Sequence, residues 1–398
     1  MKAILFICFI LLLSSCTKNN KNDNQSFYYI EDFRKPGMDD YQTIIAACDS
    51  LPENSKIQFA SKTYLLSHTP IIQKSFKFYG PATFKRENQI AYILKEPADE
   101  FSKYLILSST KGLIAYDRIE VCINKDITGA TPINVATQIN GDTVLLDAPL
   151  GSTFGGENVY SAGTKVFKSI NFFWILSPTK YTDMSCSFDN LTFDGNRDNN
   201  AGTYFWNINA SVTAISSGTT YYRNCKFINS PNETIVGHNA DIRNCVFYDL
   251  NGSGFHTSAD KFYCSEDEIH SYLINNSFEN TNQISSTITG HSEGAITHSQ
   301  CGGYYIATGN SFKNVGESVL GALYPSVSVR DWGTSNITFT GNTINGARKM
   351  VYTIDTTFTG TLHDVRIESN IISNMPSLDW SSDLAYWPRI ILKDKSGE

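Results

Sequence analysis

The chain has 398 residues, with 32 Lys and Arg against 39 Asp and Glu, a formal charge of −7. Charged residues make up only 18% and hydrophobic ones 41%. That balance excludes the basic field of a phosphate-binding surface and the apolar poverty of a disordered chain. With 34 Asn and 27 Gly crowding out strong helix formers, a turn-rich, β-rich, extracytoplasmic protein is expected rather than a helical bundle.

The chain opens with Lys2 and an apolar run from Ala3 to Leu13, followed by Ser14-Ser15-Cys16. The run is too short to span a bilayer and has the length of a signal-peptide core. The ending Leu13-Ser14-Ser15-Cys16 resembles a bacterial lipoprotein signal. That resemblance implies cleavage before Cys16, lipidation of Cys16 and a place on the bacterial cell envelope, with the membrane face left open. Residues 1–15 are therefore expected to be a signal peptide and 16–35 a lipidated polar tether, followed by one domain over 36–398.

Within that domain, residues 36–165 are expected to hold an N-terminal cap and the first coils. The stretch from Asp39 to Pro52 reads as a short amphipathic helix. Its apolar residues at 41, 44, 45, 48 and 51 share a face, Asp39 and Gln42 form a capping box, and Pro52 ends it. Strand patterns follow at Lys56-Ile57-Gln58-Phe59, at Lys62-Thr63-Tyr64-Leu65-Leu66 and at Phe76-Lys77-Phe78-Tyr79-Gly80.

Residues 166–375 carry an internal repeat anchored on Phe193, Phe227, Phe247, Phe278, Phe312, Ile344 and Ile372. Two residues past each anchor stands Gly195, Asn229, Asp249, Asn280, Asn314, Gly346 or Asn374, types that tolerate a left-handed turn. Short strands broken by such turns predict an all-β fold, a solenoid whose anchors stack from coil to coil. Asn224 is expected to stack on Asn244 and Cys225 on Cys245. Residues 376–398, with Trp380 and Trp387, are expected to cover the C-terminal end. Seven cysteines follow Cys16 with no C-x-x-C pair, and they read as buried small hydrophobes rather than disulfides.

The succession D-D-Y-Q-T-I-I-A-A, K-I-Q-F-A-S-K-T-Y-L-L and F-K-F-Y-G resembles the opening of the pectate-lyase-like superfamily. The segment Asn140 to Leu150 is also similar to one common there. The resemblance covers about residues 36–375 and implies a right-handed parallel β-helix with an N-terminal capping helix. It also implies that an acidic or complex polysaccharide is bound or cleaved. The family's calcium aspartates with an Arg base are not matched. The set N-T-D, D-D, G-H-G and R-I-K is absent, so no family site residue is carried over.

Aligning the strand after each turn matches Glu233-Thr234-Ile235-Val236-Gly237-His238 with Glu293-Gly294-Ala295-Ile296-Thr297-His298 as E-x-Φ-Φ-x-H. Ser253 to Ser258 lies between them, and Glu317 to Ala322 and Lys349 to Ile354 follow. The third column, Ile235, Phe255, Ala295, Val319 and Val351, then points inward. His238, His256 and His298 would share one exposed face over successive coils. His256, His298 and His238, with Glu293 and Glu317 one coil apart, are the candidate catalytic groups for elimination or hydrolysis of a glycan. His291, at the end of a lengthened coil from Gln283, and Arg330-Asp331-Trp332 are candidate substrate-binding residues. No cofactor is definite, and calcium is left open. The run Glu266-Asp267-Glu268 raises calcium but lacks the spaced oxygen ligands of a calcium loop. The expected partners are a polysaccharide or oligosaccharide, and the membrane through the lipid anchor only. Nucleic acid is not expected as a partner, and the chain is expected to be a monomer. A polysaccharide lyase or glycosidase is the leading reading. A non-catalytic glycan-binding or structural β-helix lipoprotein is the alternative, and a tailspike-like recognition module is a third.

Overall fold

A computed structural model describes residues 26–121, 134–150, 159–176, 184–200, 212–257, 270–283, 294–298, 304–323, 337–353, 366–374 and 391–393. The packed fold begins earlier than residue 36. Tyr28–Tyr29 pair in parallel with Ile57–Gln58, and Ile30 is buried, so the expected tether ends sooner than residue 35. The capping helix α1 (Asp40–Ser50) starts as expected: Asp39 accepts from the Gln42 N–H at 2.7 Å, and the Gln42 side chain accepts from the Asp39 N–H at 3.1 Å. Its buried stripe is Thr43, Ile44, Ala47 and Cys48, slightly rotated from the expected one, because Tyr41 and Ile45 are only half-buried.

The body is a parallel β-helix with three inward columns. In the first, Tyr64, Phe84, Phe193, Phe227, Phe247, Phe278, Phe312, Ile344 and Ile372 follow one another in unbroken register. From Phe193 to Phe312 the rings lie 4.5–5.0 Å apart, with planes within 9° of parallel. That spacing matches the ~4.8 Å between hydrogen-bonded strands. The second column runs from Ile57 through Phe78, Phe188, Tyr222, Ile242, Leu273, Ala307 and Phe339 to Ile367, and the backbone pairing continues to Leu392. Ile391–Lys393 is thus a further rung inside the segment expected to be the C-terminal cover. Trp380 and Trp387 lie outside the described residues. The third column is Phe173, Val212, Ile235, Phe255 and Ile296, and the backbone pairing continues through Leu320 to Val351.

Two sets of left-handed corners turn the coils. Asn229, Asp249, Asn280, Asn314, Gly346 and Asn374 take positive φ as expected; in the Phe193 coil Asn196 does so instead of Gly195. At the other corner Asn190, Asn224, Asn244, Asn275, Gly309, Gly341 and Ser369 have φ between 55° and 68°. The residue after this second corner faces the core. There Cys225 and Cys245 give way to a ladder of buried asparagines, Asn276, Asn310, Asn342 and Asn370. Each Nδ2 in the ladder donates to the next Oδ1 at 2.9–3.1 Å. Each Oδ1 beyond the first also accepts the backbone N–H of the preceding member at 2.9 Å. Among the described residues Cys48, Cys186, Cys225 and Cys245 are buried free thiols; Cys122, Cys264 and Cys301 lie outside them.

Part of the stretch expected as first coils is something else. Between Lys77–Arg86 and Phe173–Leu176 the chain leaves the helix and forms a six-stranded antiparallel sheet. Its core contains Leu105, Leu107, Ile119, Val121, Val144 and Val166. The reason is local. The two-residue loop Gly141-Asp142, with Gly141 at φ +59°, folds Asn134–Asn140 back on Thr143–Leu146 as a hairpin. This inserted sheet touches the helix where Arg118 lies over the Trp174 ring at 5.5 Å. A second tie is the His68 Nδ1 to Asp117 Oδ1 contact of 2.8 Å.

Candidate active site

The third column positions the site. Along its strands period 2 turns Phe173, Ile235 and Phe255 into the core and the next residues, Trp174, Val236 and His256, the other way. His256 sits in register between Val236 on one coil and Thr297 on the next. Its approach is set by two glycines. A Cβ on Gly252 would come within 2.4 Å of the Asn232 Oδ1, and one on Gly254 within 2.7 Å of the Phe278 ring. With no side chains there, residues 252–256 lie tight against the preceding coil and the aromatic stack.

That coil contributes Glu233. The Nδ1 of His256 and the Oε1 of Glu233 form a direct hydrogen bond, with the two side chains 18% and 6% exposed. Glu233 is anchored through its neighbour: Thr234 donates its hydroxyl to the Gly254 carbonyl at 2.6 Å and its N–H to the Ser253 carbonyl at 3.1 Å. A buried carboxylate at Nδ1 fixes the proton there in the neutral imidazole and makes Nε2 the atom that takes or gives a proton. When the ring is protonated, the same carboxylate stabilises its charge.

Among the side chains described, His256 is the expected histidine joined to a carboxylate partner. Strand register puts His298 level with Thr257 and Gly237, one residue beyond the level of His256. In backbone register Phe255 stands level with Ile296 and then Leu320, one residue beyond the expected Ala295 and Val319, yet Ala295 and Val319 are both buried in the core as expected. Residues 294–297 are buried throughout, so the alternation that would reveal the register is missing from this stretch. The expected open face is narrower than thought, since Val236 and Thr297 on either side of His256 are both buried.

His238 lies on the strand Ile235–Arg243, just past Gly237, and Glu317 on Ser311–Leu323, where the pairing with Thr343–Thr353 is irregular. Glu293, His291, Arg330, Asp331, Trp332 and Cys16 lie outside the described residues, as does Glu266-Asp267-Glu268. Among the described residues no group of three or more His, Cys, Asp or Glu is gathered to hold a metal ion.

Sequence reasoning missed Glu233 as the partner of His256. The available signal was a Glu two residues before one inward anchor and a His one residue after the next. It also missed the His68–Asp117 pair. Asp117 is buried and accepts the Ile114 N–H at 2.8 Å through its second oxygen, and the Tyr41 ring lies 5.1 Å from the His68 ring. This pair joins the capping region to the inserted sheet.

No family model matches the chain, and no curated protein matches it. Similar solved structures include the tailspike gp61 of Pseudomonas phage phi297, at 12% identity over 87% of this chain and 76% of that one, with a TM-score of 0.26. A glycoside hydrolase is similar at 10% identity over 80% and 81%, with a TM-score of 0.35. PfbA, a surface adhesin of Streptococcus pneumoniae, is similar at 12% identity over 87% and 79%, with a TM-score of 0.43.

Proposed function

We propose that this chain is an envelope-anchored, carbohydrate-active β-helix protein that cleaves a polysaccharide, with His256 as its proton-transfer group. The observation that supports this most is the Glu233–His256 pair on the side of the third sheet that faces away from the core. A glycan laid across successive coils would present a ring proton to such a base. Imidazole backed by a carboxylate suits proton abstraction in β-elimination. Hydrolysis asks for two carboxylates flanking the bond, and Glu233 is already engaged with His256. His238, His298, Glu293 and Glu317 are proposed to complete the catalytic set. His291, Arg330, Asp331 and Trp332 are proposed to hold the glycan, and Cys16 to carry the lipid.

One observation favours a second reading, a non-catalytic glycan-binding or structural β-helix. Val236 and Thr297, which flank His256, are buried, and this limits access to the imidazole. A panel of acidic and neutral polysaccharides separates the two. Elimination yields an unsaturated product that absorbs in the ultraviolet, and hydrolysis yields only new reducing ends. Binding with neither product would sink the enzymatic reading. The mass of the mature N-terminus tests the anchor: an unmodified Cys16 or an intact leader contradicts it.

A further inference from the structure

Arg86 ends the strand Lys77–Arg86, two residues after the stacked Phe84, and pairs in register with the buried Leu66. Period 2 therefore sends its side chain inward. Arg86 is fully buried, and its Nε, Nη1 and Nη2 all lack a hydrogen-bond partner. Burial pulls its pKa down to about 9, which still leaves the guanidinium charged at neutral pH. No acidic side chain among the described residues offsets that charge.

Asn196 gives its Nδ2 to the Arg86 carbonyl at 2.9 Å and to Asn88 at 3.0 Å, and its Oδ1 already accepts from Asn199 at 2.8 Å. The Gln89 Nε2 is likewise buried without an acceptor. On the next coil Asp194 pairs with Lys85, and the residue after it is Gly195, buried and with no side chain to fill the level of Arg86. A buried cation persists only where an opposite charge or a full set of acceptors compensates the lost water.

We infer that Arg86 binds a small inorganic anion of chloride size inside the first coils of the β-helix. A larger ligand is excluded, because the guanidinium has no exposed surface for a glycan or a protein to reach. The anion closes the charge at the N-terminal end of the solenoid, and the inference stands independently of any activity at His256.

Thermal melts of the full chain in chloride, exchanged for gluconate at constant ionic strength, test this. The wild type should gain Tm saturably, by roughly 3 °C at 100-fold excess over half-saturation. Arg86→Met should not respond, and in chloride-free buffer it should melt at or above the wild type. An equal response in both proteins, or none in the wild type, overturns the inference. Should Arg86→Met fail to fold, wild-type crystals soaked in bromide decide. An anomalous peak within hydrogen-bond reach of the guanidinium supports the site, and the lack of one refutes it.

Discussion

The rings of Phe247 and Phe278 stack 4.5 Å apart with planes 4° from parallel, two coils of the solenoid meeting at one buried column. Both are fully buried, and Phe227 and Phe312 continue the stack on either side. Phe247→Ala should therefore cost about 3–5 kcal/mol through lost burial and an unfilled cavity. Urea unfolding measures this, and a loss under about 1 kcal/mol would mean that the column is not packed as described.

Gly254 ties the stack to His256. An added Cβ would come within 2.7 Å of Phe278 and 2.9 Å of Phe247. Gly254→Ala is expected to destabilise by about 1–3 kcal/mol and to shift His256 away from Glu233. Comparing its melting temperature and its turnover with those of Phe247→Ala tests this. Turnover should fall further in Gly254→Ala at matched loss of stability.

The asparagine ladder makes a different demand. Asn310 accepts from the Asn276 N–H and Nδ2, and donates to the Leu273 carbonyl and to Asn342 Oδ1. Asn310→Leu leaves buried partners on both sides unsatisfied, at about 1–3 kcal/mol for each group stranded. Hydrogen exchange at Asn276 should speed up markedly more than exchange at Phe84, which lies several coils away. Uniform acceleration along the helix would contradict a local role.

The inserted sheet carries the clearest pH signature. Burial raises the Glu120 pKa from 4.5 to about 8, with Arg118 partly opposing the rise. Between those values the folded chain holds a proton that the unfolded chain has released. The stabilisation is thus full below about 4.5 and is lost as pH rises through about 8. Glu120→Gln should flatten that decline, by an amount on the order of a few kcal/mol at pH 9. Melting curves from pH 4 to 9 in both proteins check it, and parallel curves would remove Glu120 as the cause.

What the sequence revealed, and what it hid, follows from how far apart the interacting residues lie. The capping box of Asp39 and Gln42 is local and reads directly. The anchors and the left-handed corners read because each coil repeats the same chemistry, as in Phe227 with Asn229 and Phe278 with Asn280. The Glu233–His256 pair did not read, although Ile235 and Phe255 were aligned as the backbone pairs them, because Glu233 stands two residues before one anchor and His256 one residue after the next, and column matching compares only like positions. The antiparallel insert was hidden for a related reason. Its strands pair out of chain order, and the Gly141-Asp142 turn was its main local mark.

The most direct measurement is turnover and melting temperature together, for the wild type, His256→Ala and Glu233→Gln on a glycan that the wild type cleaves. His256→Ala should abolish product while glycan binding is kept. Glu233→Gln should lower turnover at least tenfold and alter its pH profile, since the group that orients the imidazole is gone. Wild-type rates in both variants would contradict it and move the chemistry elsewhere on the molecule.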